Sequence, residues 1–141
     1  MIRTMFHTPR KALDSQFPLA AIPQALKDRR GLLWIDFSGE KPEVCLPVLE
    51  QFTIHPLAIE EALQESHTPK VDDWGDYLHV VVQVFTLAAR DSVLDLSGDE
   101  VDIFLGSNYI ITHHDLPAAA LDTAWAACLR DSRHLAGGAD H

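Results

Sequence analysis

Basic residues are scarce in this sequence. Eleven Lys and Arg stand against 21 Asp and Glu, for a net charge of −10. Nucleic acid recognition needs Lys/Arg stripes that neutralise phosphates, and anionic membrane surfaces need the same sign of charge. Both are excluded as partners. Cysteine is equally sparse: Cys45 and Cys128 sit in apolar helical contexts and read as small buried hydrophobes rather than a disulfide. No charged-then-apolar leader opens the chain. The longest apolar run, Tyr77 to Ala89, is interrupted by His79 and Gln83 and is too short to cross a bilayer as a helix. The chain as given is therefore expected to be soluble. G-x-S-x-G, HExxH, CxxC and phosphate-cradling glycine loops are all missing. These gaps remove the usual signatures of serine hydrolases, zinc proteases, zinc ribbons and nucleotide sites.

What is present suits one domain spanning residues 1–141, with 47% apolar residues. Met1 to Phe6 reads as an edge strand, and Ile22 to Arg30 as a short helix with Pro23 at its start. Leu32 to Phe37 is a short apolar strand closed by Ser38-Gly39, apolar enough to be buried on both faces. Its exception, Asp36, is expected to cap the next helix or bond a backbone N–H. Glu43 to Gln51 reads as helix with Val44, Val48 and Phe52 on one face, kinked at Pro47 or starting near Leu46.

Pro56 opens the next helix, whose apolar face is Ile59, Ala62 and Leu63. Glu60 and Glu61 cannot share that face, because adjacent helical residues lie about 100° apart. Such a carboxylate pair either sits in water or holds a cation. After a loop at 66–70, Val71 starts a short strand before the turn around Asp72, Asp73 and Asp76. Tyr77 to Leu87 alternates in two faces and belongs near the centre of a sheet, and Ala88 to Ser97 reads as a polar connection. Val101 to Leu105 and Tyr109 to His113 form a hairpin across Gly106-Ser107-Asn108. Pro117 opens the last helix, patterned by Leu121, Ala124, Trp125, Cys128 and Leu129 and closed by Gly137-Gly138. The sum is an α/β fold of four to six strands, a mixed parallel and antiparallel sheet sandwiched between helices.

His113-His114-Asp115 has the composition of a metal cluster, but neighbours in a strand point to opposite faces, so the imidazoles are expected to diverge. Asp115 suits a cap. His55, before Pro56, suits a structural role at the helix start. The acids Glu60, Glu61, Glu65, Asp72, Asp73, Asp76, Asp99 and Asp102 could form a diffuse, weak site for hard cations. They also serve as turn formers.

The order Trp34-Ile-Asp36, His55-Pro-Leu-Ala-Ile-Glu60-Glu61, Pro69-Lys70-Val71-Asp72 and Tyr77-Leu-His-Val-Val-Val resembles the cytosolic N-terminal domain of CorA-type magnesium/cobalt transport channels, over roughly residues 20 to 130. The resemblance implies a regulatory, ion-sensing domain and not an enzyme. It implies a funnel of five subunits at the cytoplasmic face of the inner membrane, followed by a stalk helix and transmembrane helices that this chain lacks. It further implies that Mg²⁺ bound at acidic subunit interfaces controls gating, with Glu61 and its neighbour Glu60 as the metal residues. Glu61 stands where the family has Asp. Half the ligands would come from a neighbour's stalk, so the isolated chain is expected to bind Mg²⁺ weakly and to be a monomer or a non-native dimer. Two alternatives remain: the zinc-transport branch of the same family, and a small stand-alone metal-dependent enzyme built on His113, His114 and Asp115.

Overall fold

The computed structural model describes residues 1–64, 68–90 and 93–139, with backbone alone for 86–90 and 93–97. Seven strands form one sheet in the order β2-β1-β3-β7-β6-β5-β4. They are β1 (Ile2–Thr8), β2 (Lys11–Asp14), β3 (Leu32–Ser38), β4 (Lys70–Asp73), β5 (Tyr77–Arg90), β6 (Val93–Gly106) and β7 (Tyr109–His114). Only the β3–β7 pair is parallel; every other pairing is antiparallel. The α helices among the described residues are α1 (Ile22–Lys27), α2 (Pro42–Leu49), α3 (Pro56–Ala62) and α4 (Ala119–Arg130). This is the mixed, helix-sandwiched sheet that the residue pattern predicts.

The sheet has two cores, one on each face. Helices α1, α2 and α3 cover the first, where Leu33, Ile35, Phe37, Cys45, Leu49, Ala58, Ile59, Phe104 and Ile111 are packed together. Helix α4 covers the second, where Met5, Leu32 and Trp34 meet Trp125 and Cys128. Strand β3 feeds both cores, with Leu32 to Phe37 all buried. Its near-continuous apolarity follows from that position. Both cysteines are free and buried, and burial is the main reason the Cys45 thiol is pushed up to about 11.

Several boundaries differ from the sequence reading. Strand β1 is not the edge, because β2 pairs outside it, in a stretch to which the sequence pattern assigns no strand. Strand β5 lies one place in from the β4 edge, not at the centre, which β7 occupies. Residues 88–97, read as a polar connection, carry the β5–β6 ladder out to Arg90 opposite Val93; residues 91–92 lie outside the described residues. Ladder hydrogen bonds satisfy the backbone whatever the side chains, so pairing outruns the apolar pattern. The hairpin loop shrinks to Ser107-Asn108, because Gly106 is still strand. Helix α1 stops at Lys27, short of Arg30. Helix α2 starts at Pro42 and runs through Pro47, leaving Val44 exposed while Cys45, Val48 and Leu49 are buried. Helix α4 begins after Pro117, at Ala119, without a side-chain cap, so Asp115 caps nothing there; the helix ends at Arg130 well before Gly137.

Candidate metal centre

The site grows from one register. β4 pairs antiparallel with β5, with Asp72 directly opposite His79. Residues directly opposite share a face of the sheet, with Cβ atoms about 5 Å apart. That face is the one α3 covers, so the end of α3 brings Glu61 over the same spot. One ligand atom each from Glu61, Asp72 and His79 lie within 4.8 Å of one another.

Helix α3 is placed by its start. Pro56 occupies the first turn, and His55 Nδ1 accepts the Leu57 N–H at 3.1 Å. The His55 N–H in turn donates to the Tyr77 hydroxyl at 3.0 Å, and its ring stacks on Trp74 at 4.9 Å. His55 thus has the structural role its position suggests. Ala58, Ile59 and Ala62 are buried, which turns Glu60 and Glu61 away from the core. Glu60 is exposed and accepts a hydrogen bond from the Gln64 amide at 3.0 Å.

Glu61 is not free in solvent. Lys70 Nζ lies 2.8 Å from Glu61 Oε2 and 2.7 Å from Asp72 Oδ2, so one ammonium bridges the two carboxylates. Asp72, and then Glu61, hold the Lys70 ammonium above its usual range. His79 is fully buried and stacks on Phe104 at 4.6 Å. Its Nε2 is 2.7 Å from Asp102 Oδ1, while its buried Nδ1 has no hydrogen-bond partner among the described residues and points to Glu61 Oε2 at 3.9 Å. Burial raises the Asp102 carboxyl above its ordinary range, and the His79 hydrogen bond only partly offsets this.

The other sequence candidates are dispersed. His113 packs near Phe37, and His114 turns to the opposite face beside Asp36. The two imidazoles diverge as strand geometry requires. Asp36 caps no helix and bonds no backbone N–H among the described residues. Its carboxylate instead accepts Arg3 Nε at 2.7 Å and the Thr112 hydroxyl. Asp73 is a turn former, accepting the Gly75 N–H at 2.8 Å. Glu65 lies outside the described residues.

Sequence reading missed His79 and Asp102 as a pair. The available signal was a lone histidine in an apolar strand face with an aspartate in the following hairpin strand. Only the pairing register, with Val81 opposite Asp102 and His79 opposite Phe104, makes them neighbours.

The sheet and its two helical layers define the class as a mixed α/β domain, with an acidic cluster at one edge. The fold is shared with the soluble domain of CorA from Methanocaldococcus jannaschii, at a TM-score of 0.62 and 16% identity, over 89% of this chain and 45% of that one. The chain belongs to the CorA-like Mg2+ transporter protein family, whose model matches residues 29–138. That is a family of transporters, not enzymes. YfjQ of Bacillus subtilis (strain 168), named as a candidate metal ion transporter, is 32% identical over 81 residues, 57% of this chain. The cobalt/magnesium transport protein CorA of Thermotoga maritima is 30% identical over 79 residues, 55% of this chain. The chain spans about a quarter of these relatives, 24% and 22% of their lengths. No helix among the described residues is long and apolar enough to cross a membrane.

Proposed function

We propose that this chain is a single cytosolic domain that regulates a CorA-like divalent-cation transport protein, with the stalk and membrane helices supplied by further sequence. The observation that carries the reading is the α3 surface. Within a domain of this family, α3 turns two consecutive carboxylates, Glu60 and Glu61, away from the core. With a net charge of −10 on each copy, facing subunits repel. Mg²⁺ held between acidic faces of a pentamer at the cytoplasmic face of the membrane offsets that repulsion and favours the closed pore. Its loss shifts the population towards the open one. Glu60, bonded among the described residues only to a side-chain amide, is the readier of the two to face a neighbour; Glu61 must first leave Lys70.

The test is Mg²⁺-dependent protection of the full-length protein from proteolysis. Joint replacement Glu60→Gln and Glu61→Gln is expected to raise the Mg²⁺ concentration needed for protection at least about tenfold, the loss of roughly 1.4 kcal/mol of coupling. A double variant protected like the parent would sink the reading. In the isolated chain, calorimetry is expected to find only weak Mg²⁺ binding, and a tight site unaffected by Glu61→Ala would count against it.

A further inference from the structure

We propose that Glu61, Asp72 and His79 form an intrachain site for a divalent transition ion of the zinc or cobalt class, which enters by displacing the Lys70 ammonium. The inference does not depend on the interface reading above, since all its ligands come from one chain.

Three observations carry it. First, the donors converge: three acceptor atoms lie within 4.8 Å of one another, yet Lys70 contacts only the two carboxylates. Second, the third acceptor is buried and unmet. His79 is 0% exposed, and its Nδ1 has no hydrogen-bond partner among the described residues. With Nε2–H donating to Asp102 Oδ1, Nδ1 carries a lone pair aimed at a carboxylate 3.9 Å away. Two acceptors face to face call for a cation or a shared proton donor between them. Third, the ring is pre-oriented as metal-ligating histidines are. Its far nitrogen is bound to a buried carboxylate, the arrangement that fixes the tautomer and strengthens the ligand, and Phe104 stacks beneath it.

The donor set selects the ion. Imidazole with two carboxylates suits Zn²⁺, Co²⁺ or Ni²⁺, whereas Mg²⁺ prefers oxygen and keeps its waters. A tetrahedral zinc with bonds near 2.05 Å needs donors about 3.3 Å apart. The site must therefore contract, and the half-exposed side chains of Glu61 and Asp72, at 44% and 40%, are able to move. Lys70, 29% exposed on a flexible stem, can swing into solvent as the ion takes over its role.

The test titrates the purified chain with Co²⁺, followed by visible absorption, and with Zn²⁺ in competition with a chromophoric chelator. Mg²⁺ in excess is the control. The expected result is one saturable Co²⁺ or Zn²⁺ per chain that Mg²⁺ does not displace. Lys70→Met removes the competing charge and should tighten binding several-fold. Asp102→Asn should weaken it roughly 10–100-fold. His79→Phe, which keeps a ring against Phe104, should abolish it and its absorption bands. Absence of saturable binding, indifference to His79→Phe in a folded chain, or failure of Lys70→Met to tighten binding would each overturn the proposal. Should His79→Phe not fold, Asp72→Asn at the rim replaces it, with loss of binding expected and unchanged binding decisive against the site. Failure here leaves the Mg²⁺ protection experiment untouched, and the reverse holds as well.

Discussion

Asp36 shows how one residue can anchor a network. Its carboxylate is fully buried between β1, β3 and β7, bonded to Arg3 and Thr112, with His114 Nε2 at 3.2 Å, close enough for charge attraction but outside hydrogen-bond geometry. Trp34 Nε1 completes it by donating to the Thr112 hydroxyl at 3.1 Å. Burial by itself would raise the Asp36 carboxyl; the His114 and Thr112 contacts and the Arg3 charge outweigh it and hold it below its ordinary value. For His114 burial pulls down, but the Asp36 carboxylate and the Leu116 carbonyl raise it above the usual 6.5. The signs set the pH window. A lowered Asp contributes stability above its unfolded value near 3.8, lost as pH falls through the folded value. A raised His contributes below 6.5, and that is lost as pH climbs through its folded value. The pair therefore stabilises most between about pH 4 and 6.5. His113, lowered chiefly by burial, acts in the opposite sense, destabilising as pH drops below 6.5. Comparing two proteins that both retain it isolates His114. The stability deficit of His114→Gln against the parent, from urea unfolding, is expected to shrink between pH 6 and 8.5. Asp36→Ala takes the shared carboxylate from the buried His114 imidazole and from the half-buried Arg3 guanidinium, which keeps Asp122 at 2.9 Å, and is expected to cost about 1.5–3 kcal/mol in the same assay.

Elements add what single residues cannot. Strand β5 presents Tyr77, His79 and Val81 to the buried side and leaves Leu78, Val80 and Val82 half-exposed. The more polar face is the inner one, because α3 lies on that side while the α4 core on the other is built on β1, β2, β3 and β7. The contrast predicts unequal costs. Ile35→Ala in β3, fully buried, should lose about 2–5 kcal/mol. Val80→Ala should lose much less, since water already reaches it. Denaturant midpoints at constant slope would measure both. At the start of α3, His55→Ala removes the acceptor for the Leu57 N–H and should cost about 1 kcal/mol. A larger loss would point to the Trp74 stack as the main contribution.

The whole molecule is governed by its charge. An excess of ten negative charges on one small domain works against compactness. Moving from low salt to about 0.15 M, where the screening length is about 8 Å, should raise the thermal midpoint. Zn²⁺ at matched ionic strength should raise it further than Mg²⁺ if the His79 site fills, because a ligand bound only to the native state adds its binding free energy to stability. Differential scanning calorimetry of the parent and His79→Phe would separate the screening effect, common to both, from the site effect, confined to the parent.

Local pattern determined a good deal. Leu32–Phe37, Tyr109–His113, the Trp125/Cys128 stripe and the Pro56 helix start were all legible, because strand alternation, helical spacing and proline's fixed φ act within a few residues. Divergence of His113 and His114 followed from strand geometry alone. The tertiary structure decided the rest. Alternation marks two faces of β5 but not which one a helix will cover. It took the β4–β5 register to set Asp72 beside His79, and the β5–β6 register to bring Asp102 within reach of the imidazole. Asp36 met Thr112 only across 76 residues of chain. Glu60 and Glu61 were visible as an outward pair. That Glu61 is held by Lys70 beside a buried, unmet histidine nitrogen depends on three segments folding onto one spot, which no local spacing encodes.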